Sequence, residues 1–311
     1  MPDQTGRTVL VTGASSGLGL RSAEALAQAG AQVLLGCRNP EKAETARRRV
    51  AAEAAGPAPT IVALDLADLT SVRAAAEEVD RAVEHLDVLM NNAGVMAVPL
   101  ARTAQGFEMQ FGTNHLGHFA LTAALAPTLL RADAARVVTT SSMAHRVGRI
   151  RFDDPNWQRR YRKWSAYGQS KVANLLFTFE LDRRARAAGL RMVAAAAHPG
   201  YAATHLQAAG PEQSGNRLML RTMGLANRLF AQSDAMGALP QLYAATMPDV
   251  QGGEYFGPKG PFEQTGHPTR VGSTRTARDE DAARRLWELS ERLTGERFDL
   301  TTGMERPRTG R

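Results

Sequence analysis

Cysteine is almost missing from this 311-residue chain, where Cys37 stands alone. An intramolecular disulfide and a cysteine-based zinc site are therefore excluded, which agrees with a reducing compartment; no metal is expected. Lysine is nearly as scarce, occurring only at Lys42, Lys163, Lys171 and Lys259 among 38 basic residues. The opening stretch, MPDQTGRTVLVTG, lacks the basic, apolar and cleavage regions of a signal peptide. No run reaches the roughly 18 consecutive apolar residues that a membrane span needs. The expectation is a soluble, cytoplasmic protein without an integral membrane segment.

What is present is a substantial core-forming fraction, 43% hydrophobic, and a net charge of +7. The basic residues are mostly arginines on stretches such as EKAETARRRVAAEAA, with acidic neighbours at helical spacing. Such patterning marks a solvated surface, and no nucleic-acid partner is expected.

Apolar β-branched runs alternate with amphipathic stretches. RTVLVTG, QVLLGC, TIVALDL, LDVLMNNAG, RVVTTSS and RMVAAAAHPG read as strands, with helices over 17–29, 40–54, 68–84, 107–130 and 166–187. Strand-helix alternation with short connections predicts a single-domain α/β Rossmann fold: a doubly wound parallel sheet of about seven strands, with helices on both faces. Ligands then bind beyond the carboxyl ends of the strands. Two segments break the rhythm, an arginine-rich insertion at about 145–165 and a long connection at about 201–233 that reads as a substrate lid. A flexible tail is expected from about residue 300.

TGASSGLG follows the first strand and opens the first helix. Gly13, Gly17 and Gly19 permit a tight turn, and the free N–H groups of Ser15, Ser16 and Leu18 suit a pyrophosphate. At the end of the second strand an NAD enzyme carries an acidic residue, but here Cys37 is followed by Arg38. A guanidinium grips a 2′-phosphate with paired charged hydrogen bonds, so NADP(H) is expected over NAD(H). Asp65 and Leu66 are placed at the adenine edge. Asn91, Ala93 and Gly94, in NNAG, are placed along the dinucleotide. Both stretches also read as ordinary loop chemistry.

In SAYGQSK, Tyr167 and Lys171 are four positions apart before an apolar helical run. Positions i and i+4 share a helix face, so phenol and ammonium can enter one cleft. The alternative is a surface tyrosine beside an ordinary lysine.

TGASSGLG, NNAG, TNHLGHF, TTSS, YGQSK and HPGYAAT occur in that order between Thr8 and Thr204. This set resembles the short-chain dehydrogenase/reductase family. The spellings SSMAHRVGRIRFDD and DEDAARRLWELSERL resemble its retinol dehydrogenase and WW-domain oxidoreductase branch. The resemblance implies that Tyr167 is the general acid/base, Lys171 its activator, Ser142 the donor that polarises a carbonyl and Asn114 a water anchor for proton relay. It implies that Pro199 and Gly200 shape the nicotinamide turn and that Thr204 holds the carboxamide. A phenol has an ordinary pKa near 10, and a nearby ammonium stabilises the phenolate. Strand alternation allows only one of Ser141 and Ser142 to meet the substrate, and the family register selects Ser142. His145 and His198 read as supporting residues.

The expected activity is NADP(H)-dependent interconversion of an alcohol with a ketone or aldehyde. The substrate is expected to be a moderately large, apolar small molecule, from Met96, Val98, Phe152, Trp157, Leu206, Met219 and Met223 near the expected rims. The membrane-bound retinoid of animal retinol dehydrogenases is not carried over. Two other readings are reduction of a conjugated C=C bond and a nucleotide-sensing regulatory module. The insertion lies beside the helix that the family uses for dimerisation, which leaves monomer and homo-oligomer both open.

Overall fold

The computed structural model describes residues 1–201 and 233–300. The expected lid, apart from its two end residues, and the tail beyond residue 300 lie outside them.

Eight strands form one sheet in the order β3-β2-β1-β4-β5-β6-β7-β8. They are β1 Thr8–Thr12, β2 Gln32–Cys37, β3 Thr60–Ala63, β4 Val88–Asn91, β5 Arg136–Thr140, β6 Val193–Ala197, β7 Tyr255–Pro258 and β8 Pro268–Arg270. The first seven are parallel. The expected parallel sheet of about seven strands is present, and an eighth is added at its edge: β8 returns antiparallel on β7. Three residues containing a proline carry too little apolar pattern to be read as a strand.

The central strands are buried almost without a break, and their apolar side chains divide between two cores. Leu10, Leu34 and Val137 face the layer of α3 (Leu69–Ala82), α5 (Gly117–Ala124), α7 (Lys163–Ala187) and α9 (Glu280–Thr294). Val9, Val11, Val33, Leu35 and Val138 face α1 (Gly17–Gln28), α2 (Pro40–Glu53) and α8 (Asp234–Thr246). Burial on both faces removes the polar half of the usual alternation.

Most helix starts are capped. Asn39 Oδ1 accepts from Lys42 N at 2.8 Å before α2, Asp68 from Thr70 N at 2.9 Å before α3, and Asp279 from Ala282 N at 3.0 Å before α9. The start of α1 differs, since Ser16 makes no side-chain cap and the first turn holds no acid.

The single helix expected over 107–130 is broken. A short turn, α4 (Met109–Phe111), runs into a π-helical turn at Gly112–Leu116, then α5, then α6 (Ala126–Leu130), which begins beside Pro127. A π turn holds one extra residue per turn and is common at functional sites. Here it carries Asn114.

Helix α7 starts at Lys163, earlier than expected, and is buried nearly all round from Ala166 to Asp182. On its outer side α9 supplies Trp287, stacked 5.9 Å from Phe177 and edge-on 5.3 Å from Phe119. The insertion is tied to the same helix: Arg151 N donates to Gln169 Oε1 at 3.1 Å, and Gln169 Nε2 donates to Pro155 O at 2.8 Å. Tyr161 OH donates to Val98 O at 2.9 Å. Val98 and Trp157 are consequently buried in this packing, and Phe152 lies under Arg285. Of the seven apolar residues expected at the rim, Met96 lines the cleft described below, while Leu206, Met219 and Met223 lie outside the described residues. Among the described residues no helix is long and apolar enough to cross a membrane.

Candidate active site

A cleft of about 910 Å³ opens over the carboxyl ends of the central strands. Every site position expected between Gly13 and Gly200 lines it except Asn91 and Asn114. Thr204 is outside the described residues.

The nucleotide end is built from backbone. Gly13 and Gly17 have φ of 69° and 53°, in the left-handed region that favours glycine. A Cβ on Gly19 would stand 2.4 Å from Gly13 O, so the loop can close on the helix only without one. With α1 uncapped, its first N–H groups and its dipole face the cleft, an arrangement that fits a pyrophosphate. Arg38 is exposed at the far side and has no acidic partner among the described residues. Lys42, not singled out in the sequence, lines the same side. Cys37 is buried, and burial pushes its thiol up to about 11. These residues fit a phosphorylated dinucleotide.

NNAG needs a correction. Asn91 is fully buried on β4 and donates through Nδ2 to Thr122 Oγ1 at 3.0 Å. Asn92 lines the cleft instead, and its Nδ2 donates to Thr12 O at 2.8 Å. The strand ends between the two residues, so alternation sends the first inward, and sequence spacing alone does not locate that boundary.

The catalytic end is built from buried side chains. Tyr167 is 5% exposed and Lys171 2%, with Lys171 Nζ 5.7 Å from the Tyr167 ring centre. Lys171 Nζ donates to Thr140 O at 3.0 Å. A Cβ on Gly94 would lie 3.1 Å from Asn114 Oδ1 and 3.7 Å from Lys171 Nζ, which shows how closely these three meet. Ser141 and Ser142 both line the cleft, but their hydroxyls divide: that of Ser141 donates to Lys171 O at 2.9 Å, whereas that of Ser142 accepts from Ala144 N at 3.2 Å. Trp164, half-exposed, also lines the cleft with its ring 6.3 Å from that of Tyr167.

Asn114 does not line the cleft because its side chain is fully engaged. Its Oδ1 accepts from Val95 N at 2.7 Å, and its Nδ2 donates to Val95 O and to Ser170 Oγ, each at 2.9 Å. Ser170 in turn donates to Tyr167 O at 2.8 Å. Ser170 sits inside the YxxxK spacing, yet residue type alone did not mark it. His145 donates from Nδ1 to Ser142 O at 2.7 Å. His198 accepts Gly200 N–H on Nδ1 at 3.2 Å and donates from Nε2 to Glu263 at 3.1 Å.

Burial dominates the protonation of the central pair. It pushes the Tyr167 phenol up to about 12 despite an opposing hydrogen bond with Ser142, and the Lys171 ammonium down to about 8. The lowering of the phenol expected from Lys171 is not seen; desolvation of the buried ring raises it, opposed by the Ser142 hydrogen bond. At pH 7 both groups hold their protons.

A parallel sheet whose strand order reverses between β1 and β4, with its cleft at that switch, defines a dinucleotide-binding α/β protein. More narrowly, the chain belongs to the short-chain dehydrogenase family, whose model matches residues 7–215. It is an oxidoreductase of a family that binds NAD(P). It is 40% identical to human Retinol dehydrogenase 13 over 296 residues, covering 93% of this chain and 85% of that protein. Human Retinol dehydrogenase 14 is also 40% identical, over 305 residues, with 93% and 87% covered. An uncharacterized protein from Mycobacterium paratuberculosis, known from a crystal structure, is 45% identical with a TM-score of 0.79, over 96% of this chain and 97% of that one. A short chain dehydrogenase from Shigella flexneri, complexed with NADP, is 26% identical with a TM-score of 0.62, over 81% and 96%.

Proposed function

We propose that the protein is an NADP(H)-dependent oxidoreductase that interconverts an alcohol with a ketone or aldehyde. The observation that carries this reading is the meeting of Ser142, Tyr167 and Lys171 at one end of a cleft whose other end presents Arg38, which has no acidic partner among the described residues. The NADP complex of the Shigella flexneri relative supports the nucleotide, and the two human retinol dehydrogenases support the alcohol-carbonyl class.

When bound, the nicotinamide supplies or accepts hydride at the carbon. The chain's own residues manage the oxygen. Ser142 donates a hydrogen bond to it as negative charge develops. Tyr167, protonated at neutral pH, delivers a proton in the reducing direction. Lys171 remains largely protonated at pH 7 and stabilises the phenolate left behind. The Asn114 side chain is engaged, so its part in proton relay falls to its main-chain carbonyl. Arg38, with Lys42 beside it, holds the 2′-phosphate. Met96, Met143 and Trp164 make the substrate side apolar.

The test is incubation with NADPH and a panel of aldehydes and ketones, comparing the wild type with Tyr167→Phe. The expected result is turnover that falls about 100-fold or more in the variant while NADPH still binds. Tight NADPH binding with no Tyr167-dependent turnover on any member of the panel would favour the nucleotide-sensing reading instead.

A further inference from the structure

His118 lies in the first turn of α5, behind the cleft and 1% exposed. Its Nε2 is 2.9 Å from Thr12 Oγ1, and its Nδ1 is 3.0 Å from the main-chain oxygen of Asn114. Neither contact is required by packing alone. An aliphatic or phenyl side chain would fill the space without desolvating two ring nitrogens.

The hydrogen-bond partners decide the tautomer. Thr12 Oγ1 accepts the N–H of Ala93 at 3.0 Å and shares that of Asn92, at 2.9 Å, with Met90 O. Its single hydroxyl hydrogen has two acceptors in reach, Met90 O at 3.2 Å and His118 Nε2 at 2.9 Å. Nδ1 faces a carbonyl oxygen, which only accepts, so in the neutral ring Nδ1 carries the hydrogen and Nε2 accepts the hydroxyl proton. The ring hydrogen is then on Nδ1, and it donates to Asn114 O. Burial and the nearby Lys171 ammonium hold the imidazole down at about 4, so the ring is neutral at pH 7.

Asn114 is the central residue of the π turn, and its side chain is spent on Val95 and Ser170. Its carbonyl is therefore what it can offer to a proton path, and His118 takes one lone pair of that carbonyl. We propose that His118 is a positioning residue for proton delivery: its Nδ1–H orients the Asn114 carbonyl so that the remaining lone pair serves the path to Lys171. Thr12 makes the same link report on the nucleotide side, because the hydroxyl that orients His118 also holds the backbone of Asn92 and Ala93. This inference rests on the proposed oxidoreductase function.

The test uses the full chain, with NADPH and a carbonyl already shown to be turned over in a Tyr167-dependent way. His118→Phe is expected to lower kcat tenfold or more, to leave the KM for NADPH within about twofold, and to raise the solvent deuterium isotope effect on kcat. His118→Gln, whose amide N–H can reach the same carbonyl, is expected to recover a large part of the loss. Nitrogen-15 NMR of the wild-type imidazole at pH 7 should show the Nδ1–H tautomer. An Nε2–H tautomer, an unchanged kcat in the phenylalanine variant, or equal loss in both variants overturns the proposal. If no carbonyl is turned over, the proposed function fails separately, and the tautomer then decides whether His118 donates to Asn114. The same measurement decides if His118→Phe does not fold.

Discussion

The two ends of the cleft are made of different material. At the nucleotide end the working surface is main chain, shaped by Gly13, Gly17 and Gly19 and by an uncapped helix start. At the catalytic end it is side chain: Tyr167 is tied through Ser170 to Asn114, Lys171 to the main-chain oxygen of Thr140, and Ser142 to the Tyr167 hydroxyl. The first kind of site fails when an atom is added. The second fails when a hydrogen bond is removed, because a buried partner is left unsatisfied.

The largest expected effect belongs to the catalytic end. Ser142→Ala should lower kcat by about 100- to 1,000-fold, as for loss of an oxyanion donor. Its NADPH dissociation constant should stay close to wild type; loss of nucleotide binding would show that the two ends are not separable.

At the opposite end, Arg38→Ala should weaken NADPH by about 1.5–3 kcal/mol, the range for a hydrogen bond to a charged group, and leave NADH nearly unchanged. Titration with both nucleotides measures this, and equal losses would remove Arg38 from the 2′-phosphate. Gly19→Ala adds a Cβ 2.4 Å from Gly13 O and should cost about 1–3 kcal/mol through overpacking. Its signature is a weaker affinity for both nucleotides together with a lower unfolding temperature.

Acid should destabilise the fold, since several buried histidines are neutral. Burial holds His115 and His198 at about 3 and His118 at about 4, against 6.5 in an unfolded chain. Between those values the unfolded chain binds more protons, so stability is fully present above about pH 6.5 and is lost as pH falls toward 3. Calorimetry should show the unfolding temperature dropping through that window; a flat profile from pH 6.5 to 4.5 would contradict neutral, buried imidazoles.

The smallest effect separates two neighbours. Ser141→Ala removes the bond to Lys171 O and should cost about 1 kcal/mol in stability while kcat changes by less than about twofold. A kcat loss as large as that of Ser142→Ala would reverse the division between them.

Much of the nucleotide end was legible because its chemistry depends on backbone conformation, and glycine spacing after an apolar run is a local signal. The shared face of Tyr167 and Lys171 was legible for the same reason, since helical period alone provides it. Asn91 was misplaced because the last residue of β4 is set by its pairing with β5, which spacing does not reveal. The π turn around Asn114 was read as plain helix because one extra residue in a turn leaves apolar periodicity almost intact. Ser170, Gln110 and His118 carried no signal of their own, being polar residues each of which has a partner far away in the chain. Gln110 shows it well: its Oε1 accepts from Ala97 N at 2.7 Å and its Nε2 donates to Tyr161 OH at 2.9 Å.

The sequence by itself determined the alternating α/β architecture, the glycine loop and the arginine after β2, all of which follow from local conformation and pattern. Only the tertiary structure decided which asparagine of NNAG faces the cleft, that burial raises Tyr167 and lowers Lys171, and that His118 connects Thr12 to Asn114. Those depend on desolvation and on hydrogen bonds between residues 80 to 106 positions apart, and such distances exist only once the sheet has brought β1, β4 and α5 together.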